Sequence, residues 1–259
     1  MSTFTLDKNV FNPTLYKQVT DVWLSGVDIQ GHEMNEDVMR RWFMGTPEER
    51  LTFDSVCRDY FAHALEAIGP EKLPNPTAEP FLRQVRDIAR QDEDGNGSQA
   101  AWTTLSMALL LDQMPRNIFR TNAGLVNVYT HYDKIAYALV RTLLSSASPI
   151  PRPDLHPQWC NSAAHRMWFY LPLTHSEDIE AHNMLDKIVA QFSKDTEKLE
   201  GHAATKKFLQ ANMNSEREHR EVLNRFGRYP HRNAALGRKS TEEEERFLKE
   251  GGATFGVTQ

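Results

Sequence analysis

Thr46-Pro47-Glu48-Glu49-Arg50-Leu51-Thr52-Phe53-Asp54-Ser55-Val56-Cys57-Arg58-Asp59-Tyr60-Phe61-Ala62-His63-Ala64-Leu65-Glu66-Ala67-Ile68-Gly69-Pro70 holds a helix start, a helix body and a helix stop in one run. Thr46 stands at the N-cap, Pro47 in the first turn and Glu49 three residues after the cap. Hydroxyl and carboxylate can then each satisfy a backbone amide that a helix start leaves open. Leu51, Val56, Tyr60, Phe61, Ala64, Leu65 and Ile68 follow at helical spacing, and Gly69-Pro70 stops the run.

The same reading extends outward in both directions. Residues 1–12 form an N-terminal arm, followed by an amphipathic segment with Leu15, Val19, Val22, Trp23 and Val27 and another around Val38–Phe43 that leads to Gly45. Pro74, Pro76 and Pro80 mark a connector, Phe81–Arg90 is helical by pattern, and residues 91–97 make a polar loop. Ser98 is expected to cap a buried helix through Trp102, Leu105, Leu109 and Leu111 that ends at Asp112–Asn117. A helix from about Ala123 to Leu144 precedes a second proline-rich connector, Ser145–Pro157. Trp159–Leu171 reads as helix broken by Pro172, and Thr174-His175-Ser176-Glu177 as a second capping box opening a helix to about Phe192. A further helix runs from about His202 to Arg225, and Ser240–Glu245 starts the last, with acids in the first turn where the helix dipole favours them. No segment alternates as a strand does. The five tryptophans share no period, so no internal repeat emerges. The expected fold is all-α, a compact array of antiparallel helix pairs in one domain over residues 1–259.

Composition narrows the function. The chain has 259 residues, 40% hydrophobic and 25% charged, with a formal charge of −5. That charge argues against general nucleic-acid or membrane-surface binding but permits a local basic patch. Cys57 and Cys160 lie far apart without metal-type spacing, no apolar run approaches a membrane span, and no secretory signal is visible at the start. The expected compartment is the cytoplasm, with reduced thiols. Nothing in the sequence reports oligomeric state.

One stretch departs from helical pattern. Arg225-Phe226-Gly227-Arg228-Tyr229-Pro230-His231-Arg232-Asn233, continuing to Gly237-Arg238, sets four arginines, one histidine, two glycines and a proline in fourteen positions. Pro230 removes a backbone donor and favours extended geometry at Tyr229, so a rigid basic loop must follow the helix that ends near Arg225.

Three motifs carry a family resemblance. Leu110-Leu111-Asp112-Gln113-Met114-Pro115-Arg116-Asn117-Ile118-Phe119-Arg120, Tyr170–Asp178, and the run from His219-Arg220 through Arg225 to Arg238 occur in that order. Together with Trp42-Phe43 and the Phe53-Asp54 helix, they resemble the uncharacterised "domain of unknown function 924" family over roughly residues 18–250. Met114 stands where that family more often has phenylalanine, and His182 where it has glutamine. The resemblance implies an all-α fold similar to the tetratricopeptide-like superfamily and brings no settled activity.

The arginines point to an anion. Asp112, Arg116, Asn117, Arg120, His219, Arg220, Arg228 and Arg232 are the candidate ligand-binding residues, because guanidinium forks match carboxylate and phosphate groups. His175 and His231 are the candidate proton carriers, with Glu177 orienting one of them. The ligand expected is a small anionic metabolite, handled by acid–base chemistry without metal or cofactor. The competing reading is structural: the same arginines clamp Asp112, Glu177 or Asp178 and helix-end carbonyls within a non-catalytic interaction scaffold. Glu216-x-x-His219 could ligate a metal, but only one such pair exists and the neighbouring arginines would repel a cation. No G-x-S-x-G elbow or phosphate-binding glycine loop is present.

Overall fold

The structure is a computed structural model that describes residues 4–92 and 95–255, apart from the side chain of Asn122. Part of the N-terminal arm (residues 1–3) and part of the polar loop (Glu93 and Asp94) lie outside these residues. Among the described residues every regular element is helical. The first two helices are α1 (Pro13–Leu24) and α2 (Glu36–Met39), the latter continued by a π turn over Arg40–Met44. Next come α3 (Pro47–Ala67), α4 (Glu79–Arg90) and α5 (Ser98–Ile118). Helix α6 (Asn122–Asn127) runs through a second π turn (Val128–Tyr132) into α7 (Asp133–Leu143). Short turns α8 (Ala163–Arg166) and α9 (Leu171–Thr174) lead to the long hairpin of α10 (Ile179–Glu197) and α11 (Ala203–Phe226). A 3-10 turn over Pro230–Arg232 and α12 (Glu242–Lys249) complete the described chain.

Helix α5 is the axis. Leu105, Met107, Ala108, Leu109, Leu110, Leu111 and Met114 are all buried, covering every face, as expected of a helix enclosed by others. It packs against α1, α3, α4 and α7, and one apolar cluster runs through these elements from Leu6 to Leu209. A smaller cluster of Val222, Leu223 and Tyr229 seats the end of α11 beside Phe226, Phe247 and Phe255.

The capping box at Thr46 forms as its sequence predicts, with Glu49 donated to by the Thr46 amide. Thr241 and Glu244 build another at the start of α12. Four boundaries differ from what the sequence predicts. Helix α5 starts after Gly97 rather than Ser98 as cap, and it continues past Pro115 to Ile118. Proline costs a helix one hydrogen bond and a clash near residue i−4; burial of Met114 and Ile118 on the same apolar surface outweighs this, so Arg116 and Asn117 remain helical. The Trp159–Leu171 stretch is a series of short turns, and Pro172 opens α9 instead of breaking a helix. At α10 the cap is Asp178, which accepts from the Glu180 amide, while Thr174 and His175 end α9. Thr174–Glu177 is therefore not a capping box; Glu177 is drawn away to Tyr229 and Arg238.

Leu109→Ala, at the centre of α5, is expected to cost about 2–5 kcal/mol of folding stability in denaturant titration. Leu51→Ala, at a residue 69% exposed, is expected to stay within about 0.5 kcal/mol of wild type in the same measurement.

Candidate functional site

Asp112 is the only acidic residue on the buried apolar helix α5 between Ser98 and Ile118, and it is 1% exposed. A buried carboxylate requires partners. It accepts from His175 Nδ1 at 2.8 Å and from the Gln113 amide at 2.5 Å, and Arg116 stands one turn on at 3.7 Å. Arg116 forks onto Asp133 at the start of α7, with contacts of 2.6 and 3.1 Å. Asp133 lies 3.9 Å from Arg232 Nη1, and Arg232 Nη2 donates to the His175 carbonyl at 2.8 Å. Asp112, Arg116, Asp133, Arg232 and His175 thus close a ring across α5, α7, the loop after α11 and the end of α9.

Over this ring opens a cleft of 420 Å³. Arg116, Arg120, His175, His219, His231 and Arg232 line it together with Arg50, Asp54, Tyr129 and Phe255. Arg120 is bound through both sides of its guanidinium to Asp54 of α3, at 2.5 and 2.7 Å. The ring of Phe255 lies 3.5 Å from that of His219, nearly parallel to it. Arg232 lies over the rings of Tyr129 and Tyr229, at 4.6 and 4.8 Å from their centroids. The Tyr129 hydroxyl, His231 Nδ1 and Arg232 Nε are buried and have no hydrogen-bond partner among the described residues.

The three histidines are neutral at pH 7. Burial, then the positive charge of Arg232, pushes His231 down to about 3. Burial likewise takes His219 to about 3 against its bond to the Ser215 carbonyl. His175 is lowered by burial and by Arg116, with Asp112 opposing. Burial would raise the Asp112 carboxyl, but His175 and Arg116 hold it below the usual carboxylate range. His175 therefore donates its Nδ1 hydrogen to Asp112 and keeps Nε2 as a base; His219 donates from Nδ1 to Ser215 at 2.8 Å and likewise keeps Nε2.

Residues 19–252 match the family described as bacterial protein of unknown function, DUF924. The chain belongs to that family. No curated protein matches this DUF924 chain. A solved structure of a protein of unknown function, ATU0120 from Agrobacterium tumefaciens, is similar to it at 26% identity with a TM-score of 0.55. The match covers 95% of this chain and 100% of that one.

Five of the residues expected at the site stand elsewhere. Arg228 forks onto Glu244 of α12 at 2.6 and 2.8 Å. Glu177 touches neither His175 nor His231; it takes both sides of the Arg238 guanidinium, at 2.8 and 2.9 Å, and the Tyr229 amide. Arg220 binds Asn183 and Asp186 on α10. Asn117 donates to the Gln113 carbonyl of its own helix, and Asp112 lies behind His175 rather than on the cleft wall. Glu216 and His219 diverge, Glu216 meeting His182 at 2.5 Å, so they do not form a ligand pair. Among the described residues no group of three His, Cys, Asp or Glu is arranged to hold a metal ion, and no helix is long and apolar enough to cross a membrane.

Arg50, Asp54, Tyr129, Asp133 and Phe255 join the site from outside the set of candidate residues. Arg50 and Asp54 lie one turn apart on the capping-box helix, a spacing visible in the sequence. Tyr129 sits in a π turn, a geometry with no sequence signature but frequent at functional positions.

Unfolding returns His219 and His231 to a pKa near 6.5. Between about 6.5 and 3 the unfolded chain binds protons that the folded chain does not, so stability is full above this window and falls as pH drops through it. Denaturant titrations from pH 7 to pH 4 are expected to show this loss, at up to about 1.4 kcal/mol per pH unit for each histidine. His231→Gln is expected to flatten the slope.

Proposed function

We propose that the cleft binds a small metabolite carrying one negative charge and that His175 moves a proton on it without a metal. The observation that carries this reading is the 2.8 Å contact of Asp112 with His175 Nδ1. A neutral imidazole anchored through one nitrogen presents the other as a general base, and its efficiency is greatest when its pKa lies near the working pH. Asp112 takes the orienting role that the sequence reading gives to Glu177. His231, with its unpartnered Nδ1, is the second group able to exchange a proton with a ligand.

Charge balance supports the ligand class. Arg50, Arg116, Arg120 and Arg232 face Asp54, Asp112 and Asp133, so four positive charges against three negative leave one. A monocarboxylate or a phosphate diester, each a monoanion, fits this balance better than a phosphate monoester or a polyphosphate. Among the described residues Arg50 makes no ion pair, and its guanidinium donates to the Phe43 carbonyl at 3.3 Å, so it is the cation left to meet the ligand. The Tyr129 hydroxyl and Arg232 Nε add donors that burial has stripped of water. The reading places the protein in the cytoplasm, among small anionic metabolites.

A second reading is a tetratricopeptide-like interaction scaffold whose arginine loop is internal architecture. Its support is the commitment of Arg228 to Glu244 and of Arg238 to Glu177.

A thermal-shift screen against monocarboxylates and phosphate diesters, with Arg50→Ala beside wild type, separates the two. Arg50 is exposed, so the variant is expected to fold with wild-type stability. A ligand at about a hundred times its dissociation constant adds about 2.7 kcal/mol, a shift of several degrees. The expected result is a hit that Arg50→Ala weakens about tenfold, the scale of one charge-assisted hydrogen bond. A blank screen, or a hit indifferent to Arg50, rejects the cleft reading and leaves the scaffold, which partner capture would then pursue.

A further inference from the structure

A second hollow, of 380 Å³, lies between α10 and α11. Leu209, Met213, Glu216 and Arg220 recur at three- and four-residue spacing along the stripe of α11 that lines it, whereas His219 lies off this stripe and lines the cleft. Its body is apolar: Met167, Leu171, Leu185, Val189, Phe192 and Met213. Its polar end is formed by Glu216 and Arg220.

The protonation pattern at that end follows from the hydrogen bonds. His182 Nε2 lies 2.9 Å from the Ser176 carbonyl, which can only accept, so Nε2 carries a hydrogen. The Tyr229 hydroxyl gives its own hydrogen to the Thr174 carbonyl at 2.8 Å, which leaves its oxygen to accept as well. His182 Nδ1 meets Glu216 Oε1 at 2.5 Å, a contact that holds one proton whichever atom owns it. In both cases Glu216 Oε2 has only lone pairs to offer. Glu216 is 8% exposed, and Oε2 is buried with no hydrogen-bond partner among the described residues.

Beside it is the opposite need. Arg220 Nε is buried, has no hydrogen-bond partner among the described residues and lies 4.0 Å from Glu216 Oε1. Of the other two guanidinium nitrogens, Nη1 donates to Asn183 Oδ1 at 2.9 Å, and Nη2 stands 2.8 Å from Asp186 as an ion pair without hydrogen-bond alignment. An acceptor-only oxygen and a donor-only nitrogen therefore stand together at the end of an apolar groove, with their charges already balanced by His182 and Asp186. A hydroxyl answers both, donating to Oε2 and accepting from Nε–H. A carboxylate brings no donor and an ammonium no acceptor.

We infer that the groove between α10 and α11 binds an uncharged apolar alcohol, its hydroxyl seated between Glu216 and Arg220 and its hydrocarbon along Leu185, Val189 and Met213. The site is independent of the cleft and of the anionic ligand proposed for it. Burial of the chain supplies affinity and the hydroxyl supplies selectivity, the usual division in pockets of this size.

Calorimetric titration of the full chain with 1-hexanol, 1-heptanol and 1-octanol tests the assignment. Each added methylene is expected to tighten binding roughly fourfold. The isomeric ether 1-methoxyheptane, which accepts but does not donate, is expected to bind at least about tenfold more weakly than 1-octanol. Val189→Trp, which fills the groove at a half-buried position, should abolish binding, and Arg50→Ala should leave it unchanged. Absence of binding by all three alcohols overturns the inference. Equal binding of 1-octanol and its ether overturns the hydroxyl site, and unaltered binding to a folded Val189→Trp variant overturns the location.

Discussion

A carboxylate 1% exposed in the middle of the molecule is the constraint from which the polar architecture follows. Asp112 is the one acidic residue on a helix whose other core positions are apolar or uncharged, and an isolated charge there would cost far more than the fold can supply. His175 and Arg116 compensate it directly, Asp133 compensates Arg116, and Arg232 bridges Asp133 to the backbone of His175. Because the ring passes through four segments distant in sequence, α5, α7, α9 and the loop after α11 must be docked together for any one member to be satisfied. Such a ring contributes little net stability compared with apolar packing, but removing one member strands the others. Its effect is on register more than on total stability.

The basic loop divides its work around this ring. Arg232 turns inward to it, while Arg228 and Arg238 bind Glu244 and Glu177 and tie the loop to α12 and to the segment before α10. Anion recognition and structural clamping, rival explanations for one run of arginines, thus fall to different residues of it. The outcome is set by which acids lie within reach once the helices pack, and arginine chemistry alone does not distinguish them.

Burial has a further consequence for the histidines. His175, His219 and His231 stand around one cleft with arginines among them, and both burial and those positive charges favour the neutral ring. Neutral imidazoles beside guanidinium groups can coexist without repulsion, which protonated ones could not. The cleft therefore combines basic nitrogens with a small positive balance, two properties that would exclude one another in open water.

Much of this was written in local pattern. The capping box at Thr46, the helical spacing of α3 and α5, the helical character of the bodies of α10 and α11 and the rigid turn after Phe226 are local features, fixed by residues within a few positions of one another, and the sequence alone determined them. It also singled out His175, His231, Arg116, Arg120 and Arg232 as chemically unusual. Pairing was decided by tertiary structure. Whether Glu177 or Asp112 would meet a histidine, whether Pro115 would end its helix, and whether Arg50, Tyr129 and Phe255 would reach the same cleft depended on contacts between positions tens of residues apart. A side chain's chemistry travels with its sequence position, but its partner is selected only when apolar burial brings distant helices together and each desolvated polar group must find the nearest complement.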